Sequence, residues 1–131
     1  MSGNVNQVNV SVLPGGTLAV GTTYIYALSA PTASLGGGIT VVGVNYCSND
    51  AIAAGSAPNI TLVKKTAAGV VNGTIATANG SAAFTAGTTR TGTLSTVFLD
   101  AGEQAHVMWA QTAANADTPV VNAVIQYVMG K

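Results

Sequence analysis

A chain of 131 residues, 48% of them hydrophobic, is long enough for one sizeable core and too short for two comfortable ones, so a single domain is expected. Only 6% of it is charged, against about 25% in ordinary soluble domains. Lys64, Lys65, Arg90 and Lys131 balance Asp50, Asp100, Glu103 and Asp117; four cations cannot neutralise a run of phosphates, which excludes nucleic acid as a partner.

The first element in chain order is "VNVSV", which sets Val8, Val10 and Val12 on one face and Asn9 and Ser11 on the other, before Leu13-Pro-Gly-Gly turns the chain. Residues 1–12 read either as an edge strand of the chain's own sheet or as an arm that adds to a neighbour's sheet, with residues 13–131 forming the main domain. "TLAVGTTYIYALSA" places Tyr24, Tyr26 and Leu28 on one side and Thr23, Ile25 and Ala27 on the other. A loop from Pro31 to Gly38 leads into "ITVVGVNYC", with Val42, Val44 and Tyr46 sharing a face. Ser48 to Pro58 reads as a loop with room for one helical turn.

"NITLVKKT" alternates Ile60 and Leu62 against Thr61. Asn72-Gly73, between apolar residues, is a two-residue hairpin signal. A short strand is expected around Phe84 and a stronger one from Thr93 to Leu99. The segment from Leu99 to Asp117 has two readings. As a helix it is capped by Asp100 with Glu103; as a strand it alternates Ala105, Val107 and Trp109 against His106 and Met108. Gly102 disfavours the first helical turn, and the strand is preferred. "PVVNAVIQYVM" closes the chain with Val121, Ala123, Ile125, Tyr127 and Met129 in phase. Frequent turn signals and high β-branched content predict an all-β, single-domain β-sandwich of jelly-roll type.

Chemistry is sparse. Gly36-Gly37-Gly38 has no lysine after it to make a phosphate loop and precedes a strand rather than a helix, so it reads as a turn using positive φ or close backbone approach. Cys47 is the sole cysteine, which precludes an intrachain disulfide, and it ends an apolar strand. His106 is the sole histidine, and no local pattern joins it to Cys47 as base and nucleophile. There is no C-x-x-C or H-x-x-x-H spacing for a metal. Asp100 and Glu103, the closest acid pair, more simply hold a turn. The expectation is no enzyme, no metal and no cofactor.

The start of the chain lacks the basic and apolar regions of a secretory leader, and Asn122 and Gln126 break its most apolar stretch, so cytoplasmic synthesis and no membrane partner are expected. Asn9, Asn59, Asn72 and Asn79 begin N-x-S/T triplets that chance explains in so Asn- and Thr-rich a chain. Low charge means little repulsion between copies and suits a protein packed into an assembly. The candidate partner-binding residues are Val5, Val8 and Val10 in the N-terminal segment, and Trp109. Trp109 reads as a core residue or an exposed anchor, the core being preferred.

"YALSAPTASLGGGITVVGVNY" followed by "ITLVKKTAAGVVNGTIATANGSAAFTAGTTRTGTLSTVFLDAGEQAHVMW" resembles small β-sandwich virion proteins of tailed bacteriophages. The likeness lies in a strand ending A-P-T, a Gly-rich lead-in to the next strand, a "TLV…G…GTIA" strand and an "LDAGE" turn. The resemblance implies a capsid decoration (cement) protein on the virion surface, often trimeric, that clamps neighbouring subunits of the major capsid protein. It carries no catalytic residue with it. Two alternatives stand beside it. A head-fibre or tail-fibre receptor- or glycan-binding module would expose aromatics in its loops and lose saccharide on Trp109→Ala or Tyr46→Ala. A jelly-roll subunit of some other homo-oligomer would assemble without a capsid.

Overall fold

The computed structural model describes residues 4–14, 21–32, 37–52, 58–80, 83–95, 98–111 and 120–130. Among these residues the period-two patterning is realised as ten strands: β1 (Asn6–Pro14), β2 (Gly21–Ser29), β3 (Ile39–Ser48), β4 (Asn59–Lys65), β5 (Val71–Gly80), β6 (Arg90–Thr91), β7 (Thr93–Leu94), β8 (Phe98–Leu99), β9 (Gln104–Gln111) and β10 (Val120–Met129). They build two antiparallel sheets. The first runs β1-β10-β3-β6, with β8 also on β3; the second runs β2-β9-β4-β5-β7.

The pairing is nested. First pairs with last (β1 with β10), second with next to last (β2 with β9), β3 with β6 and β8, and β4 with β5. A nested antiparallel ribbon folded into two facing sheets is a jelly roll, as the sequence predicts. Inward side chains fill the space between: Ile39, Val41, Val44 and Tyr46 from β3, Val121, Ala123 and Ile125 from β10, and Ile60, Leu62, Ile75, Val107 and Trp109 from the second sheet. Each large aliphatic among them contributes about 1.5–3 kcal/mol by leaving water. In β9 alternate residues are buried along its whole length, so the strand reading of that segment holds for residues 104–111. Residues 112–117 lie outside the described residues, as do 53–57, where a helical turn had room.

Bulges interrupt the register of β1, β2, β3 and β5, and in β2 and β3 they move faces that the sequence pattern assigns. Val42 has no partner on β10, since Val41 faces Tyr127 while Gly43 faces Gln126. Val41 is therefore buried with Val44 and Tyr46, and Val42 is 43% exposed, leaving the face expected for it. In β2 the register slips between Tyr26 and Leu28, so Ala27 and Leu28 both turn inward and Leu28 does not share the face of Tyr24 and Tyr26.

The β4–β5 turn is not at Asn72-Gly73, which lies inside β5. It occupies residues 66–70, where the Thr66 N–H donates to Val70 O, the Gly69 N–H donates to Thr66 O (both 2.8 Å), and Gly69 takes φ +83°. A glycine already placed for the left-handed step makes the turn three residues early. The strand expected from Thr93 to Leu99 is split: β7 joins β5 in the second sheet and β8 joins β3 in the first, as the chain crosses the sandwich. Phe84 makes a single bridge to Ile52. Both readings of the glycine turn are realised: Gly37 has φ +80°, and a Cβ on Gly38 would strike Leu99 O and the Phe98 ring.

Candidate interaction surface

Strand register assembles the outer face of the second sheet row by row. Tyr24, Met108 and Thr61 are cross-strand partners; so are Tyr26, His106 and Val63, and then Gln104, Lys65 and Val71. Tyr24 and Tyr26 are 43% and 56% exposed. Lys65 Nζ lies 4.1 Å from the centre of the Tyr24 ring. To reach it, the lysine stem crosses the Val63 row, and Val63 is only 3% exposed although it is no part of the core between the sheets. All four residues from Ile60 to Val63 are buried, where simple alternation predicts every second one.

Polar groups tie this face together. Tyr26 packs edge-on to His106 with ring centres 5.5 Å apart, and its hydroxyl lies 2.8 Å from Ser29 Oγ. His106 Nε2 lies 2.9 Å from Gln104 Oε1. Burial pushes the His106 pKa down, and the charge of Lys65 pushes it the same way, which favours the neutral imidazole. The result is an aromatic, mostly uncharged platform with hydroxyl, amide and imidazole groups around two tyrosines. Such surfaces serve as contact faces.

Glu103 fixes one end of the sheet. Its Oε1 accepts the Asp100 N–H at 2.7 Å, its Oε2 accepts Asn72 Nδ2 at 2.8 Å, and Lys64 Nζ stands 3.5 Å away. Burial raises the Glu103 pKa, but the Asn72 and Asp100 hydrogen bonds and Lys64 outweigh it and hold the carboxyl below its usual range. The backbone joins in, the Ala30 N–H donating to Glu103 O at 2.8 Å. Asp100 and Glu103 thus form a turn that staples β2, β5 and β9.

The sequence-selected residues are not brought together as one patch. Val5 is 60% exposed just ahead of β1, Val8 packs against the core, and Val10 belongs to it. Trp109 is 4% exposed on the other sheet, its Nε1–H donating to Gln111 Oε1 at 3.1 Å. Tyr46 is buried edge-on to Phe84; burial raises its pKa, partly offset by a hydrogen bond and the charge of Arg90. Cys47 lies on β3 and His106 on β9, in different sheets, so they do not form a nucleophile–base pair. Cys47 instead lines a shallow groove of about 100 Å³ with Asn45, Thr89, Asn122 and Val124. Among the described residues no three His, Cys, Asp or Glu side chains gather as a metal site, and no helix is long and apolar enough to cross a membrane. The tyrosine platform is what sequence reading missed. Its signal is "TTYIYA", where the two tyrosines share one side of a strand whose other side holds the smaller Ile25 and Ala27.

No protein-family model matches this sequence, and comparison with curated proteins gave no match. Among solved structures the chain is similar to a chain of the cyanophage Pam1 capsid asymmetric unit. The TM-score is 0.61 at 21% identity, over 98% of this chain and 86% of that one. The likeness is one of fold and extends over both sheets.

Proposed function

We propose that this protein is a non-enzymatic structural component of a bacteriophage virion, and within it a decoration (cement) protein on the capsid surface. The observation that carries the reading is the near full-length likeness of its jelly roll to a chain of a phage capsid asymmetric unit. Its partner would be the major capsid protein. A protein that binds only the assembled shell stabilises that state in proportion to its affinity, and many copies add avidity to modest single contacts. Charged pairs have little part to play, since the chain has only four basic and four acidic residues, and Lys64 and Glu103 are already engaged with each other. The tyrosine platform and the Thr- and Asn-rich loops are left to make the contacts.

The deciding experiment is quantitative mass spectrometry of purified particles against the major capsid protein. Copy numbers of the same order as that protein are expected. A handful per particle would move the protein to a tail or fibre, and absence from the particle would overturn the virion reading. The fibre reading draws on the exposure of Tyr24 and Tyr26, which lie on a strand rather than in loops. It predicts saccharide binding that Tyr24→Ala and Tyr26→Ala abolish, a result a shell-binding protein would not give.

A further inference from the structure

The two sides of the sandwich are unlike. On one side the sheets end in β6, β8 and β7, each two residues long. On the other they end in β1 and β2, each nine residues long. Open strand edges are normally blunted by charge, proline, bulges or shortness. Neither β1 nor β2 contains a single Asp, Glu, Lys or Arg, and Pro14 is the last residue of β1. The bulges fall late, after Ser11 in β1 and after Tyr26 in β2. Each edge therefore keeps six regular, uncharged residues, 6–11 and 21–26. Among the described residues no backbone hydrogen bond joins either edge to a further strand.

β1 and β2 also lie against each other across the sandwich, so the two open edges are stacked. A single extended peptide covers one edge and leaves the other bare. A partner that covers both must itself offer two open edges at the same separation, and a second copy of this chain does so without adjustment. Chemistry favours like on like: the exposed side chains over residues 6–11 of β1 are the amides of Asn6, Gln7 and Asn9 and the hydroxyl of Ser11, each both donor and acceptor. We infer that the β1/β2 side is a two-fold contact between two copies of this chain, with β1 antiparallel to the partner copy's β1 and β2 beside its counterpart. Each sheet then continues across the contact. The inference does not depend on the virion reading, because the contact forms in the purified protein.

The test is sedimentation velocity on the purified protein over a concentration series. Wild type is expected to be a dimer. Gln7→Lys with Asn9→Lys sets like charges across the seam in any register of residues 6–11 and is expected to weaken dimerisation at least about tenfold. Gln7→Glu with Asn9→Glu should do the same alone, and mixing the two variants should restore a heterodimer. Both positions are exposed, and circular dichroism should report an intact fold. Thr74→Lys with Thr77→Lys, on exposed positions of β5, adds equal charge and should leave the dimer unchanged. In a Cys47→Ser background, single cysteines scanned through positions 6–11 should cross-link on oxidation where the two-fold axis brings a position beside its own copy, and not at positions far from it. A wild type that stays monomeric, a trimer, unaltered association of the lysine variant, or no cross-link from any of the six positions would each overturn the inference.

Discussion

Glu103 has more partners than any other side chain in the turn before β9, and truncating it hands two charge-assisted hydrogen bonds over to water. Glu103→Ala is expected to cost about 1–2 kcal/mol in urea denaturation. Because the folded pKa is depressed, this stabilisation is full above the unfolded carboxylate value of about 4.3 and is lost as pH falls through the lower folded value. His106 has the same sign for a different reason. Its neutral form is favoured in the fold, so the unfolded chain binds the proton first as pH drops below about 6.5. The thermal midpoint should therefore decline between about pH 6.5 and the folded pKa, and His106→Gln should flatten that part of the profile. Lys65→Gln removes one of the two depressing influences; an NMR titration of His106 should then shift toward the ordinary histidine range.

At the level of elements, the glycines separate turn from strand. Gly69→Ala forces an L side chain to φ +83° and is expected to cost about 1–2 kcal/mol. Gly73→Ala meets only ordinary contact with Lys64 Cε at 3.5 Å and should be neutral or slightly stabilising. Were Asn72-Gly73 the turn, the order would reverse. Gly38→Ala drives a methyl into β8 and should cost about 1–3 kcal/mol, with loss of amide protection at Phe98 and Leu99. These sites also mark where sequence reading succeeds and where it stops. β9 keeps a strict alternation and β10 keeps Val121, Ala123 and Ile125 inward, so both are legible. β2 and β3 are legible as strands but not in phase, because one bulged residue inverts every face beyond it and Ala27 and Val42 carry no mark of being that residue. The run from Thr93 to Leu99 looks continuous because each half obeys strand chemistry; only the pairing partners differ. The tyrosine platform was hidden for a related reason. Alternation shows that Tyr24 and Tyr26 share a side, and only the packing of Ile25 and Ala27 against the core decides that this side faces out.

Across the whole molecule, nearly every pairing joins distant parts of the chain, which slows folding because loop-closure entropy precedes the reward. Refolding by stopped-flow fluorescence of Trp109, which is buried only when β9 is in place, is expected in the millisecond-to-second range. The order of synthesis adds a constraint of its own. β10 is the last strand made, yet it occupies an interior position of the first sheet, with β1 on one flank and β3 on the other. At about 5–20 residues per second, β1 waits on the order of ten seconds for its neighbour after leaving the ribosome. Throughout that interval β1 is an uncharged segment with no strand mate in its own chain, and β3 has only its short pairings with β6 and β8. On a crowded polysome the nearest available mates are the same segments of adjacent nascent chains. The topology that closes the finished sandwich thus also sets the window in which the chain is most exposed to pairing with the wrong copy of itself.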